Sequence, residues 1–280
     1  MNYTSLIQPA ELAALLANAP DRVVVCDCTF DLTDHAAGRR LYQSGHIPGA
    51  YWLDLETVLS GPKTGRNGRH PLPDREIFAA FMASIGASAN SQIVAYDAGN
   101  AMFAARLWWL MRWLGHENAA VLDGGLAAWR EAGHPLETTP PPARPGSFKA
   151  QAPLAATVDY AGLRHAPNRL VIDARAPDRF RGENETLDPA GGHIPGAKNH
   201  FFKDNLAPDG RFKPPAALRA AYTDILAGRP AAEVVQSCGS GVTACHNLLA
   251  MEIAGLPGAA LYPGSWSEWS AQPDTVIERG

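Results

Sequence analysis

The sequence predicts an α/β fold used twice in tandem, each copy a mainly parallel sheet covered by helices on both faces, and three observations support it. The pentapeptide His46-Ile47-Pro48-Gly49-Ala50 recurs as His193-Ile194-Pro195-Gly196-Ala197. Ahead of each copy lies a short apolar run ending in Asp, Val23-Val24-Val25-Cys26-Asp27 and Leu170-Val171-Ile172-Asp173, as expected for parallel strands buried on both faces. Behind each copy, strand-like and helix-like stretches alternate in the same order.

In the first half, Pro9-Ala10-Glu11-Leu12 reads as the first turn of a helix, with Pro where no amide donor is needed. The strand Val23–Asp27 leads to the first His-Ile-Pro-Gly-Ala, in which Pro fixes φ and Gly supplies a conformation that other residues avoid. Because the motif occurs in both halves, it reads as a structural turn and does not by itself mark an active site. Gln92-Ile93-Val94-Ala95-Tyr96 is the next strand. The apolar stretch 101–114 carries Arg106 and Arg112 and is shorter than the roughly 20 residues that cross a bilayer, so it reads as a core helix. Val121-Leu122-Asp123-Gly124-Gly125, with Trp129 behind it, is a further strand and turn. Pro140, Pro141, Pro142 and Pro145 then prevent regular structure. The expected domains are therefore 1–138 and 156–280, joined by a Pro-rich linker over 139–155. The second half repeats the order with Glu233-Val234-Val235-Gln236-Ser237 as a strand, a helix after it, and Leu261-Tyr262-Pro263-Gly264-Ser265 with Trp269 as the last strand and turn.

A chain of 280 residues suits two domains of ordinary size, and 46% hydrophobic with 19% charged residues is a globular composition. A net charge of -4 without a Lys/Arg block argues against nucleic acid as a partner. Residues 1–19 lack the basic and then apolar order of an export signal. The four cysteines form neither a disulfide framework nor a trusted zinc spacing, so a reducing, cytoplasmic location away from membranes is expected.

The chemistry concentrates where the halves differ. The first has Asp97-Ala98-Gly99-Asn100-Ala101-Met102 after its central strand, and the second has Cys238-Gly239-Ser240-Gly241-Val242-Thr243. A Cys at a strand end, followed by glycines and a helix N-terminus, has backbone amides and a positive dipole end aimed at its sulfur. Such a loop stabilises an anion on or above the sulfur. Ser240 and Thr243 add hydroxyls to the same ring. Free cysteine is often simply buried, but the Gly-rich turn argues against inert burial of Cys238. Cys245, two helical turns on, reads as core, and the Cys26, Cys28 pair is weak evidence for a metal.

At this point the chain resembles the tandem rhodanese family, and its Cys238-Gly239-Ser240-Gly241-Val242-Thr243 loop is similar to that of the mercaptopyruvate sulfurtransferase branch. The resemblance extends to Gly68-Arg69-His70-Pro71-Leu72-Pro73 and Gly264-Ser265-Trp266-Ser267-Glu268-Trp269. It implies a catalytically inactive first domain, Cys238 as nucleophile, and a donor-binding loop of Gly239, Gly241 and Val242. The donor would be a small sulfur-bearing anion, 3-mercaptopyruvate or thiosulfate. Its sulfur would pass through a Cys238 persulfide to cyanide, a thiol or a thioredoxin-like protein, with no metal or organic cofactor. Arg179, in Arg179-Phe180-Arg181-Gly182, matches the arginine that grips the donor, with Arg181 as a second contact. The branch usually carries another arginine before the second His-Ile-Pro-Gly. Here that stretch reads Asn184-Glu185-Thr186-Leu187-Asp188-Pro189, which leaves Arg66, Arg69 or Lys63 to compensate. A relay from His46 and Asp34 to Ser240 is expected to serve the leaving group. Two rivals follow: a persulfide-carrying module with little turnover, and a cysteine phosphatase, which would need an arginine where Ala244 stands.

Overall fold

The computed structural model describes residues 2–166 and 168–280. Its first half runs β1 (Leu6–Ile7), α1 (Pro9–Asn18), β2 (Val23–Asp27), α2 (Ala37–Ser44), β3 (Tyr51–Trp52), α3 (Arg75–Ser84), β4 (Gln92–Tyr96), α4 (Ala104–Trp113), β5 (Ala119–Leu122) and α5 (Gly125–Glu131). The second runs α6 (Tyr160–Arg164), β6 (Leu170–Asp173), α7 (Pro177–Arg181), β7 (Lys198–Asn199), α8 (Pro215–Leu226), β8 (Val234–Ser237), α9 (Thr243–Ile253), β9 (Ala260–Leu261) and α10 (Ser265–Trp269). The first sheet has the order β1-β5-β4-β2-β3 and the second β7-β6-β8-β9, with neighbouring strands paired in parallel. All residues of β2, β4, β5 and β8 are buried, as parallel strands covered on both faces must be.

Capping explains several helix starts. Gln8 and Glu11 form a capping box on α1, Asp74 accepts from the Glu76 and Ile77 amides at α3, and Asp159 accepts from Gly162 at α6. The apolar helix expected over 101–114 begins only at Ala104, because the preceding turn is held by a buried carboxylate described below. It is a core helix, with Ala104 to Met111 all buried. Among the described residues no helix is long and apolar enough to cross a membrane.

The chain forms two compact units that are not simple halves. Residues 61–72 belong to the second unit, and 208–211 to the first. The segment expected as a linker from Pro140 carries no regular structure and, to Leu154, belongs to the first unit: Arg144 donates to the Val23 carbonyl, and Phe148 donates to Ala87 and is buried.

The repeated His-Ile-Pro-Gly-Ala is built identically in both units. His46 stacks on Tyr42 at 3.8 Å and its Nδ1 lies 2.8 Å from the Tyr42 carbonyl, while the Gly49 amide donates to Glu137 at 2.6 Å. His193 stacks on Phe180 at 3.7 Å with Nδ1 2.9 Å from the Phe180 carbonyl, and Gly196 donates to Glu278 at 2.7 Å. Gly49 and Gly196 both have positive φ, 77° and 75°. In each unit the motif is bridged to a distant segment, His46 to Glu137 and His193 to Glu278, both antiparallel.

Candidate active site

Cys238 follows β8 directly and is buried, 1% exposed, at the mouth of the turn into α9. The Gly241 amide donates to its Sγ at 3.1 Å. Gly241 sits at φ 76°, and a Cβ there would lie 2.3 Å from the Pro263 carbonyl oxygen, so no other residue fits. Val242, buried, stands at the N-cap of α9, and Thr243, half-buried, opens the helix, so Cys238 lies in the turn that leads into a helix N-terminus. The start of α10 clamps the other side. Ser265 Oγ accepts from the Cys238 amide and lies 4.0 Å from Sγ, while Trp266 and Ser267 donate to the Cys238 and Gly239 carbonyls. Cys245 is core, its thiol 3.3 Å from the Gly241 carbonyl.

Two guanidinium groups cover the loop. A Cβ on Gly239 would lie 2.9 Å from Nη2 of Arg69 and 3.5 Å from Nη2 of Arg179, so this glycine is what lets the cations approach. Arg179 is therefore where the sequence places it. Its inner edge is paired with Glu185 at 2.8 Å, and Arg69 is paired with Asp188. Arg175 lies deeper, paired with Asp173 and Glu185 and stacked 4.8 Å over Trp266. Burial pushes the Glu185 carboxyl up, but hydrogen bonds from Arg179 and the Leu187 amide and the nearby guanidinium charges more than offset it, leaving it below its ordinary value. Burial raises Asp188 despite its ion pair with Arg69. Of the first-half cations named as substitutes, Arg69 is set against the loop, whereas Arg66 offers its backbone carbonyl to Gln272. Arg181 is not brought to this cluster; it is 43% exposed and pairs with Glu183 at 2.8 Å.

Ser240 has a different partner from the one its sequence context suggests. Its Oγ shares a 2.7 Å hydrogen bond with Nδ1 of His70, both groups buried, the direction set by the imidazole tautomer. His46 is engaged by Tyr42 in its own turn, and Asp34 is an exposed residue paired with Arg40. His70 and Ser240 are 170 positions apart, and no local spacing announces their meeting. Ser265, Arg175, Glu185 and Asp188 were likewise unassigned from sequence.

The first unit shows what the loop is built to hold. Asp97, at the position that corresponds to Cys238, is buried, and its own carboxylate accepts from the amides of Gly99, Ala101, Phe103 and Ala104 at 2.9 to 3.2 Å. An anion-binding turn is thus filled internally in one unit and left to a sulfur in the other.

The chain is similar to known proteins along its length. The rhodanese-like domain family matches residues 8–132 and 157–272. Over its whole length the chain is 47% identical to a "probable 3-mercaptopyruvate sulfurtransferase" of Pseudomonas aeruginosa, and covers all of that protein. It is 35% identical to the thiosulfate sulfurtransferase of Cricetulus griseus over 86% of this chain and 84% of that one. The 3-mercaptopyruvate sulfurtransferase from Leishmania major superposes with a TM-score of 0.84 at 30% identity, covering 95% of this chain and 74% of that one.

Proposed function

This chain belongs to the rhodanese family and is a sulfurtransferase, and from that premise we propose that 3-mercaptopyruvate is its preferred donor, with Cys238 carrying the sulfur as a persulfide. The observation that carries this reading is the Cys238 sulfur, hydrogen-bonded by the Gly241 amide, beside a Ser240–His70 pair and beneath the guanidinium groups of Arg69 and Arg179.

The reaction divides into two displacements. The donor's carboxylate binds the outer edges of Arg69 and Arg179, which suit a planar oxygen pair. The Cys238 thiolate attacks the donor sulfur, forming the S–S bond as the C–S bond breaks. The leaving pyruvate enolate needs a proton, which the donor's own thiol supplies through Ser240 and His70, so that persulfide and pyruvate result. The loop amides hold the negative charge as it moves from Cys238 to the outer sulfur. A thiophilic acceptor, cyanide, a thiol or a thioredoxin-like protein, then removes that sulfur and returns the thiolate. Thiosulfate reacts by the same attack, but sulfite leaves without needing a proton, so Ser240 and His70 favour mercaptopyruvate specifically. The first unit, its turn filled by Asp97, takes no part in the chemistry.

The test is a side-by-side measurement of kcat/KM for 3-mercaptopyruvate and thiosulfate with cyanide as acceptor, for the wild type and Cys238→Ser. Mercaptopyruvate should win by at least about tenfold, equivalent to about 1.4 kcal/mol in the transition state, and the variant should lose both activities. A wild type that prefers thiosulfate would overturn the donor assignment, and turnover surviving in Cys238→Ser would overturn the mechanism.

A further inference from the structure

The stretch that replaces the expected second arginine is not empty chain. It delivers two carboxylates, Glu185 and Asp188, each only 2 to 3% exposed, into the arginine cluster above the Cys238 loop. Glu185 is fully engaged, accepting from Arg175, Arg179 and the Leu187 and Asp188 amides. Asp188 is different. Its Oδ1 takes Nη1 of Arg69, the same guanidinium whose Nη2 faces Gly239. Its Oδ2 is buried with no hydrogen-bond partner, 3.7 Å from Nη2 of Arg179. A carboxylate serving only to anchor Arg69 would be expected to satisfy both oxygens, since an unmet buried acceptor is costly.

We propose that Asp188 is a specificity-determining residue, whose carboxylate between Arg69 and Arg179 sets the charge of the donor site so that it accepts a monoanion in preference to a dianion. The inference rests on the reading of this cluster as the site of a sulfur donor. In the cluster Arg69, Arg175 and Arg179 are balanced by Asp173, Glu185 and Asp188, so the site offers directed N–H groups with no net positive charge. One carboxylate, as on mercaptopyruvate, exchanges hydration for two well-placed forks. A second negative charge, as on thiosulfate, gains few further donors and is repelled by Asp188 at close range, where the sparse solvent screens little. Donor choice is thus set by a carboxylate that need not touch the reacting sulfur.

The experiment compares kcat/KM for both donors in the wild type, Asp188→Asn, Asp188→Glu and Glu233→Gln, the last removing an exposed carboxylate paired with Arg229. Asp188→Asn should raise the thiosulfate-to-mercaptopyruvate ratio at least tenfold, chiefly through a lower KM for thiosulfate. Asp188→Glu, which keeps the charge, should stay within about threefold of the wild type, and Glu233→Gln should leave the ratio unchanged. In a Cys238→Ser background, calorimetry should show Asp188→Asn binding inorganic sulfate more tightly while its affinity for pyruvate changes little. Equal effects on both donors, or no tightening of sulfate, would overturn the inference while leaving the sulfurtransferase reading intact. A wild type that turns over neither donor would sink that reading instead. Should Asp188→Asn fail to fold, Asp188→Ser reads the same ratio with the charge removed.

Discussion

In the proposed reaction, Cys238, Ser240 and His70 divide the work in a way that single substitutions separate. Because only the mercaptopyruvate reaction requires a proton on its leaving group, Ser240→Ala or His70→Asn should lower its kcat by about 10²-fold, within the usual range for a lost acid-base group. Turnover of thiosulfate by the same variants should fall by less than about fivefold; an equal loss with both donors would mean that the pair only shapes the loop. Gly239 makes a complementary prediction. A methyl group there meets Nη2 of Arg69 at 2.9 Å, so Gly239→Ala should displace the cation and raise KM for either donor about tenfold, with kcat affected less. At this scale Cys238 was legible from sequence, because a Cys between a strand and a Gly-rich helix start is a local pattern. His70 was not, because its position beside Ser240 is a product of packing.

Among the elements, the turn before α9 and its counterpart before α4 carry the most structural consequence. Gly241→Ala forces a side chain into positive φ and against the Pro263 carbonyl, and should cost about 2 kcal/mol or more of stability in denaturant titration, together with most of the activity. In the other unit, Asp97 satisfies four amides with one carboxylate. Asp97→Ala would orphan those donors and should destabilise the protein by about 3 kcal/mol, with little direct effect on donor KM. An unchanged melting temperature would contradict that account of the turn. The two His-Ile-Pro-Gly-Ala segments behave as their repetition suggested, as turns, and Glu137 and Glu278 explain why the glycine amides are held. The strands were legible from their apolar runs, while two-residue strands such as β3 and β7 were not, being too short to carry a period.

For the molecule as a whole, acid sensitivity follows from two histidines, one in each unit, His116 buried and His200 half-buried. Burial depresses His116, whose Nε2 lies 2.9 Å from the Ser91 carbonyl, and His200, whose Nε2 lies 2.9 Å from Asn205 Oδ1. Their folded-state values lie below the ordinary 6.5, so the unfolded chain binds protons first as the pH falls. Their contribution is therefore complete above about pH 6.5 and is lost as pH drops towards the depressed values. Glu185, also depressed, extends the loss into the carboxylate range. The melting temperature should fall between pH 7.5 and 5.5, and His116→Gln should flatten that fall; a wild type more stable at pH 5.5 would contradict the assignment. Taken by itself, the sequence determined the tandem α/β fold and the Gly-rich loop that sets Cys238 between a strand and a helix, because strand runs, Gly turns and helix starts are written in neighbouring residues. Tertiary structure alone decided that residues 61–72 join the second unit and bring Arg69 and His70 to the loop, and that Asp188 pairs with Arg69 there. The physical reason is that charge balance and hydrogen-bond partnership depend on which side chains packing brings within a few ångströms, and sequence spacing does not encode that distance.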